Sequence, residues 1–260
     1  MPFTLSHAAA ALPFRRTRLI FSAVVFGSFA PDFEYFIRFG PWGKFGHSTL
    51  GIFVFDLPAS LIMLWLFHRY AKEPLWAWLP ERVRQRVALG PRTLPLKSIG
   101  QIALVLVSIL IGVITHIFWD SVTHSYYWPY YHWPLLSYTI QLPLLGPTLY
   151  FKFFQIASTF LGALVLLLWF VFWYRAATPI PRQNNPGYRH SERASLLVTS
   201  AIAIVAGAIR GWTGMRSAVN FNPLAVFLAE AVITTMSIFW LEVVIYGILR
   251  DIRSRRTQTA

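Results

Sequence analysis

The sequence predicts an all-α fold: a polytopic membrane helical bundle of about six transmembrane helices with a short N-terminal helix. Three observations carry that prediction. Of 260 residues, 56% are hydrophobic and 13% charged, whereas a soluble domain carries about a quarter charged residues. The apolar residues come in blocks of about twenty or more, the length a helix needs to span a bilayer. Lysine and arginine fall between the blocks, and alternate connections are rich and poor in them.

Five segments are long enough to cross: about Ser48–Tyr70, Ile99–Asp120, Leu149–Tyr174, Ser195–Met215 and Leu224–Leu249. A sixth, about Arg18–Phe36, is weaker because "PDFE" interrupts it. The stretch Phe3–Phe14 is too short to cross and is expected to be interfacial or re-entrant. In "MPFTLSHAAAALPFRRTR" the apolar residues precede the basic cluster, the reverse of a signal peptide, so no cleavage is expected. "PIPRQNNPG" and "LGPRTLPLK" read as loop ends. Residues 1–260 are read as a single integral membrane domain.

Arg82, Arg84, Arg86 and Arg92 lie in one connection, Arg175, Arg182, Arg189 and Arg193 in another, and Arg250, Arg253, Arg255 and Arg256 in the tail. The loop Ser121–Thr148 has no lysine or arginine. The basic loops and both termini are therefore expected on the cytoplasmic side of a cell inner (plasma) membrane, and Ser121–Thr148 and Pro31–His47 on the outer side. "SYYWPYYHWPLLSY" fits an aromatic belt at the outer interface. The net charge is +13. Its spread between apolar blocks points to membrane lipid, with anionic phospholipid headgroups at the basic loops, and away from nucleic acid. The chain has no cysteine, which excludes disulfides, thiolate metal sites and cysteine nucleophiles.

Chemistry concentrates in "GVITHIFWDSVTHSYYWPYYHW". His116 and Asp120, four apart, share one helix face and suit two ligands of one ion. His124 joins them if the helix continues; otherwise it belongs to the loop, with Asp120 orienting its ring. Asp32, in "APDFEYF", and His47, in "GKFGHSTLG", fall at the same outward level on separate segments. Oxygen and nitrogen donors of this kind suit a divalent metal, Zn²⁺ or Mn²⁺. A buried polar network that fixes helix packing, and a proton relay, are the alternatives. His7, in "LSHAAAA", joins the site only if the N-terminal stretch folds deep into the bundle, which the topology argument leaves open. Arg210 and Glu230 lie at matching depths in neighbouring spans, so an ion pair is expected. Asp56, two residues before Pro58, reads either as a carboxylate at a kink or as support for the site.

"MPFTLSHAAAALPFRR", "GSFAPDFEYFIRF", "GHSTLGIFVFDLP" and "HIFWDSVTH" together resemble the bacterial membrane proteins of domain-of-unknown-function family 4184. The order of polar landmarks is also similar to inner-membrane metal-dependent hydrolases, themselves similar to zinc-dependent phospholipase C. That resemblance maps onto His7, Pro31–Asp32, His47–Ser48 and His116–Asp120, and implies phosphoester hydrolysis. The chain departs from it in having "GHST" where a Thr usually precedes the His, and in lacking a second Asp after Asp32, where Glu34 can substitute. The expectation is hydrolysis of a phosphoester or related bond in a lipid-linked substrate. Asp32, His47, His116 and Asp120 would be metal ligands, joined by His7 where it reaches them. His124 or Glu34 would support them or act as general acid or base. A transporter of small solutes or ions and a non-enzymatic membrane scaffold are the competing expectations.

Overall fold

The structure is a computed structural model that describes residues 3–94, 96–143, 146–180, 190–218 and 222–259. Arg182, Arg189 and most of "PIPRQNNPG" lie outside the described residues.

The fold is an all-α helical bundle of a membrane protein. Five helices are long and apolar enough to cross a bilayer: Thr49–Trp78, Ile99–His132, Tyr150–Ala176, Ala194–Arg216 and Pro223–Arg256. Large apolar side chains on them, such as Phe160 and Phe172, are exposed, as a lipid-facing surface requires. We label the elements α1 (Phe21–Phe29), α2 (Phe33–Arg38), α3 (Thr49–Trp78), α4 (Ile99–Thr123), α5 (Tyr150–Ala176), α6 (His190–Arg216) and α7 (Pro223–Thr259). The weak sixth segment is broken. Its helix α1 has only 9 residues and gives way to a 3-10 turn, Ala30–Asp32, before α2 starts. Pro31 at the start of that turn has no N–H to continue the α-helical ladder. An antiparallel hairpin, β1 (Thr139–Leu142) with β2 (Gly146–Leu149), is an addition that the apolar pattern of the loop after α4 does not announce. Gly146 there has φ +68°, the left-handed region glycine enters freely.

The chain forms two interleaved compact units. One holds Met1–Phe33, Lys44–Leu61 and Pro95–Arg175; the other holds Glu34–Gly43, Ile62–Leu94 and Ala176–Ala260.

In the first unit, α1 runs beside α4 in the same direction. Ile20 N–H donates to Ser108 Oγ at 3.0 Å, and Ser28 C=O meets His116 Nδ1 at 2.7 Å. Glycines let the two backbones touch. A Cβ on Gly112 would meet the Val24 carbonyl oxygen and come within 2.6 Å of Ser28 N. Such close crossing is how helices pack where lipid supplies no hydrophobic drive. The N-terminal stretch is a 13-residue 3-10 helix, Thr4–Arg16. At ~2.0 Å per residue it covers about 26 Å. It lies along α5. Ser6 Oγ donates to Thr159 C=O at 2.9 Å, and the Arg15 guanidinium sits 5.8 Å over the Trp169 ring. The chain then turns and α1 runs back along α4.

In the second unit, Ala71 and Trp78 of α3 pack on Val243 and Val244 of α7. α6 and α7 cross closely through Gly207 and Gly211, where a Cβ would come within 2.5 and 2.6 Å of the Ala231 and Phe227 carbonyl oxygens. The expected ion pair forms: Arg210 Nη1 lies 3.1 Å from Glu230 Oε2.

Gly112→Val is expected to destabilise the first unit by about 1–3 kcal/mol through overpacking against α1. Gly100→Ala, with nothing within 4 Å of its Cβ position, is the matched control. Thermal unfolding in detergent should show a lower midpoint for the first variant alone.

Candidate metal centre

Four chain segments of the first unit deliver buried donors to one point. In α4, His116 and Asp120 stack one turn apart. Asp32 closes the 3-10 turn after α1. His47 directly precedes Ser48, whose hydroxyl caps α3 by accepting from Gly51 N–H at 3.0 Å. His7 comes from the N-terminal 3-10 helix. With three residues per turn, Thr4 and His7 share an edge of that helix. Thr4 Oγ1 donates to Asp32 Oδ2 at 2.6 Å, and His7 Nε2 lies 3.5 Å from Asp120 Oδ1.

The remaining spacings are equally tight. His47 Nε2 lies 3.8 Å from Asp32 Oδ1 and 3.5 Å from Asp120 Oδ2. His116 Nε2 lies 3.7 Å from Asp32 Oδ1 and 3.4 Å from Asp120 Oδ2. The His7 and His116 rings stack with centroids 3.9 Å apart. Asp32 and His116 are fully buried and Asp120 is 1% exposed. Among the described residues, His7 Nε2, Asp32 Oδ1, His116 Nε2 and both Asp120 oxygens have no hydrogen-bond partner. Polar atoms orphaned in an apolar interior are destabilising by roughly 1–3 kcal/mol each. Spacings of this size match the edges of a tetrahedron with metal–ligand bonds of about 2.0–2.2 Å, which are roughly 3.3–3.6 Å long. His7, Asp32 and His116 form one set able to hold an ion, and His47, His116 and Asp120 another.

The atoms not facing the centre are held from behind. His116 Nδ1 meets Ser28 C=O at 2.7 Å, which leaves Nε2 for the centre. Thr4 fixes Asp32. Asp56 is fully buried on a π-helical turn, Ile52–Asp56. Its Oδ1 lies 3.0 Å from where a Cβ on Gly46 would sit, so its carboxylate packs against the backbone that leads into His47. π-turns recur at functional sites.

His124 occupies the residue after α4, in extended conformation. Lys152 Nζ donates to Gln155 Oε1 at 2.5 Å, which turns the amide nitrogen toward His124 Nε2 at 3.0 Å. Nε2 is therefore an acceptor, and Nδ1–H faces Asp120 C=O at 3.1 Å. Both ring nitrogens of His124 are engaged, so Gln155 and the Asp120 carbonyl fix its orientation. Glu34 belongs to α2 in the second unit, where Arg38 Nη2 lies 2.9 Å from its Oε1; it is not among the five converging donors.

So Asp32, His47, His116 and Asp120 converge as the sequence pattern expects, and His7 completes the set. Ser28, Thr4, Lys152 and Gln155 are supports that sequence reasoning missed. The one available signal was the placing of polar residues within otherwise apolar helices.

The profile of the DUF4184 domain of unknown function matches residues 1–248. The chain belongs to the DUF4184 family. The match spans every segment that supplies a donor, so the centre lies wholly inside the DUF4184 region. No curated protein and no solved structure shows a significant match.

His124 is expected as the Nδ1–H tautomer at neutral pH. Nitrogen chemical shifts of ¹⁵N-labelled histidine should report it, and Gln155→Leu, which removes the donor to Nε2, should move that signal.

Proposed function

We propose that this protein is a membrane-embedded metal-dependent hydrolase acting on a phosphoester or related bond of a lipid-linked substrate. One observation carries the reading: three imidazoles and two carboxylates, from four segments, form two overlapping sets of three donors that share His116. Two carboxylates held side by side out of water repel each other and lose hydration. A divalent cation offsets both terms at once. The donor set, nitrogen and oxygen without sulfur, favours Zn²⁺ or Mn²⁺.

A bound ion would supply Lewis acidity and a hydroxide from water near neutral pH. The chain's own groups fit that use. A set of three ligands leaves a position for water. With His47, His116 and Asp120 as ligands, Asp32, whose Oδ1 lies 3.7 Å from His116 Nε2, would be left beside the open position, where it would accept the proton that a water there gives up on becoming hydroxide. Thr4 then stabilises the Asp32 carboxylate through Oδ2. Lys152, joined through Gln155 to His124, is the nearest cation along this hydrogen-bonded line and would meet the substrate's negative charge. Exposed Tyr126 and Trp128 beside His124 suit a lipid headgroup at the interface.

The arginine-rich loops argue for a cytoplasmic location, and the lysine- and arginine-free loop after α4 would then put the centre at the outer leaflet. Phe3 N–H donates to Thr159 Oγ1, which ties the N-terminal 3-10 helix to α5. The resemblance to inner-membrane metal-dependent hydrolases runs in the same direction, through His7, Asp32, His47, His116 and Asp120.

Protein purified in detergent without chelators is expected to hold zinc or manganese stoichiometrically. Asp120→Ala and His47→Ala should each lower metal affinity at least tenfold, and Thr4→Val, which touches Asp32 alone, roughly tenfold. Elemental analysis with competition by a chromogenic chelator measures this. Absence of metal from the wild type would overturn the proposal. Release of product from lipid phosphates, lost after chelation and restored by metal, is the second measurement.

A further inference from the structure

A separate charged centre lies in the second unit, where the last turns of α3 approach the last turns of α7. A cavity of about 140 Å³ opens there, lined by Arg69, Glu73, Arg92, Arg250 and Asp251. Asp251 serves three guanidiniums. Arg69 meets it through both nitrogens, at 2.7 and 3.1 Å, Arg255 at 3.1 Å and Arg92 at 3.4 Å. Arg92 also grips Glu73, and Arg250 lies in the field of the same carboxylate. Lys72 adds an ammonium group, which donates to the Gly90 carbonyl at 2.8 Å. Among the described residues, five cations thus gather around two carboxylates.

That ratio is the informative point. A network built only for stability pairs its charges, because surplus like charges repel and exposed pairs contribute little. Here one carboxylate is divided among three arginines and a surplus of cations remains, with the Asp251 side chain only 12% exposed. Guanidinium forks match the oxygens of a phosphate group and bind it in pairs. The cavity is small. A Cβ on Gly247 would collide with the Tyr70 carbonyl oxygen, so the glycine lets α7 pack against the backbone of α3 beside it.

We propose that this cavity binds a phosphate group, with Arg92 and Arg250 as its ligands and Arg69 locked by Asp251 as its wall. The group is the headgroup phosphate of an anionic lipid or free phosphate, two sources with one chemistry. The proposal does not rest on the metal centre, which belongs to the other unit.

The test uses the full chain in detergent and follows thermal unfolding. One arm adds mixed micelles of phosphatidic acid, with phosphatidylcholine as control. The other adds inorganic phosphate, with chloride at matched ionic strength as control. The wild type is expected to be stabilised in at least one arm. Arg250→Gln should weaken the apparent affinity roughly tenfold, the effect of removing one charged hydrogen-bond partner. Arg216→Gln, an exposed arginine at the end of α6, should respond as wild type. Stabilisation by phosphatidic acid alone identifies a lipid headgroup; stabilisation by inorganic phosphate as well identifies the free anion as sufficient. Should Arg92→Gln fail to fold, having lost its hold on Glu73, Arg250→Gln still decides. No stabilisation in either arm, or equal stabilisation of Arg250→Gln and wild type, overturns the proposal.

Discussion

Asp32 and Asp120 sit where water does not reach, side by side in the interior of the first unit. Burying a carboxylate without compensation is among the least favourable things a chain can do. Much of the first unit is arranged around that constraint. Three imidazoles surround the pair, Thr4 satisfies one oxygen of Asp32, and the Ser28 carbonyl turns His116 so that its other nitrogen points inward. Removing any of these leaves a neighbour exposed to the same penalty. Helix packing and site chemistry therefore cannot be varied separately.

The close approach of α1 to α4 follows from the same demand. Ser28 reaches His116 only because Gly27 and Gly112 let the two backbones come within carbonyl contact. The N-terminal segment answers a different geometric problem. A 3-10 helix rises further per residue than an α-helix, ~2.0 against ~1.5 Å. Thirteen residues thus travel nearly the thickness of the hydrocarbon core and still place Thr4 and His7 on one edge.

The long helices are legible in the sequence because length and hydropathy alone mark them. So is the convergence of four donors. The i, i+4 spacing fixes His116 against Asp120, and the placing of lysine and arginine sets Asp32 and His47 at the same level. His7 is undecidable at that stage, since a 13-residue 3-10 helix has no periodic signature that would separate it from an interfacial stretch. Ser28, Thr4 and Gln155 are silent for another reason: their roles come from which helix they happen to face. The hairpin Thr139–Leu149 lacks a two-residue turn signal of the Asn-Gly kind. The break at Asp32 was signalled by "PDFE", but its result, two short helices joined by a 3-10 turn, was not.

The first-synthesised donor is held by the last-synthesised part of its unit. His7 is seated through Ser6 on Thr159, more than a hundred residues later in the chain. During biogenesis the amino-terminal segment cannot make this contact until α5 has been inserted. Under the proposed function, ion capture would follow completed assembly rather than translation, and a chain interrupted before Thr159 would lack the seat beneath His7.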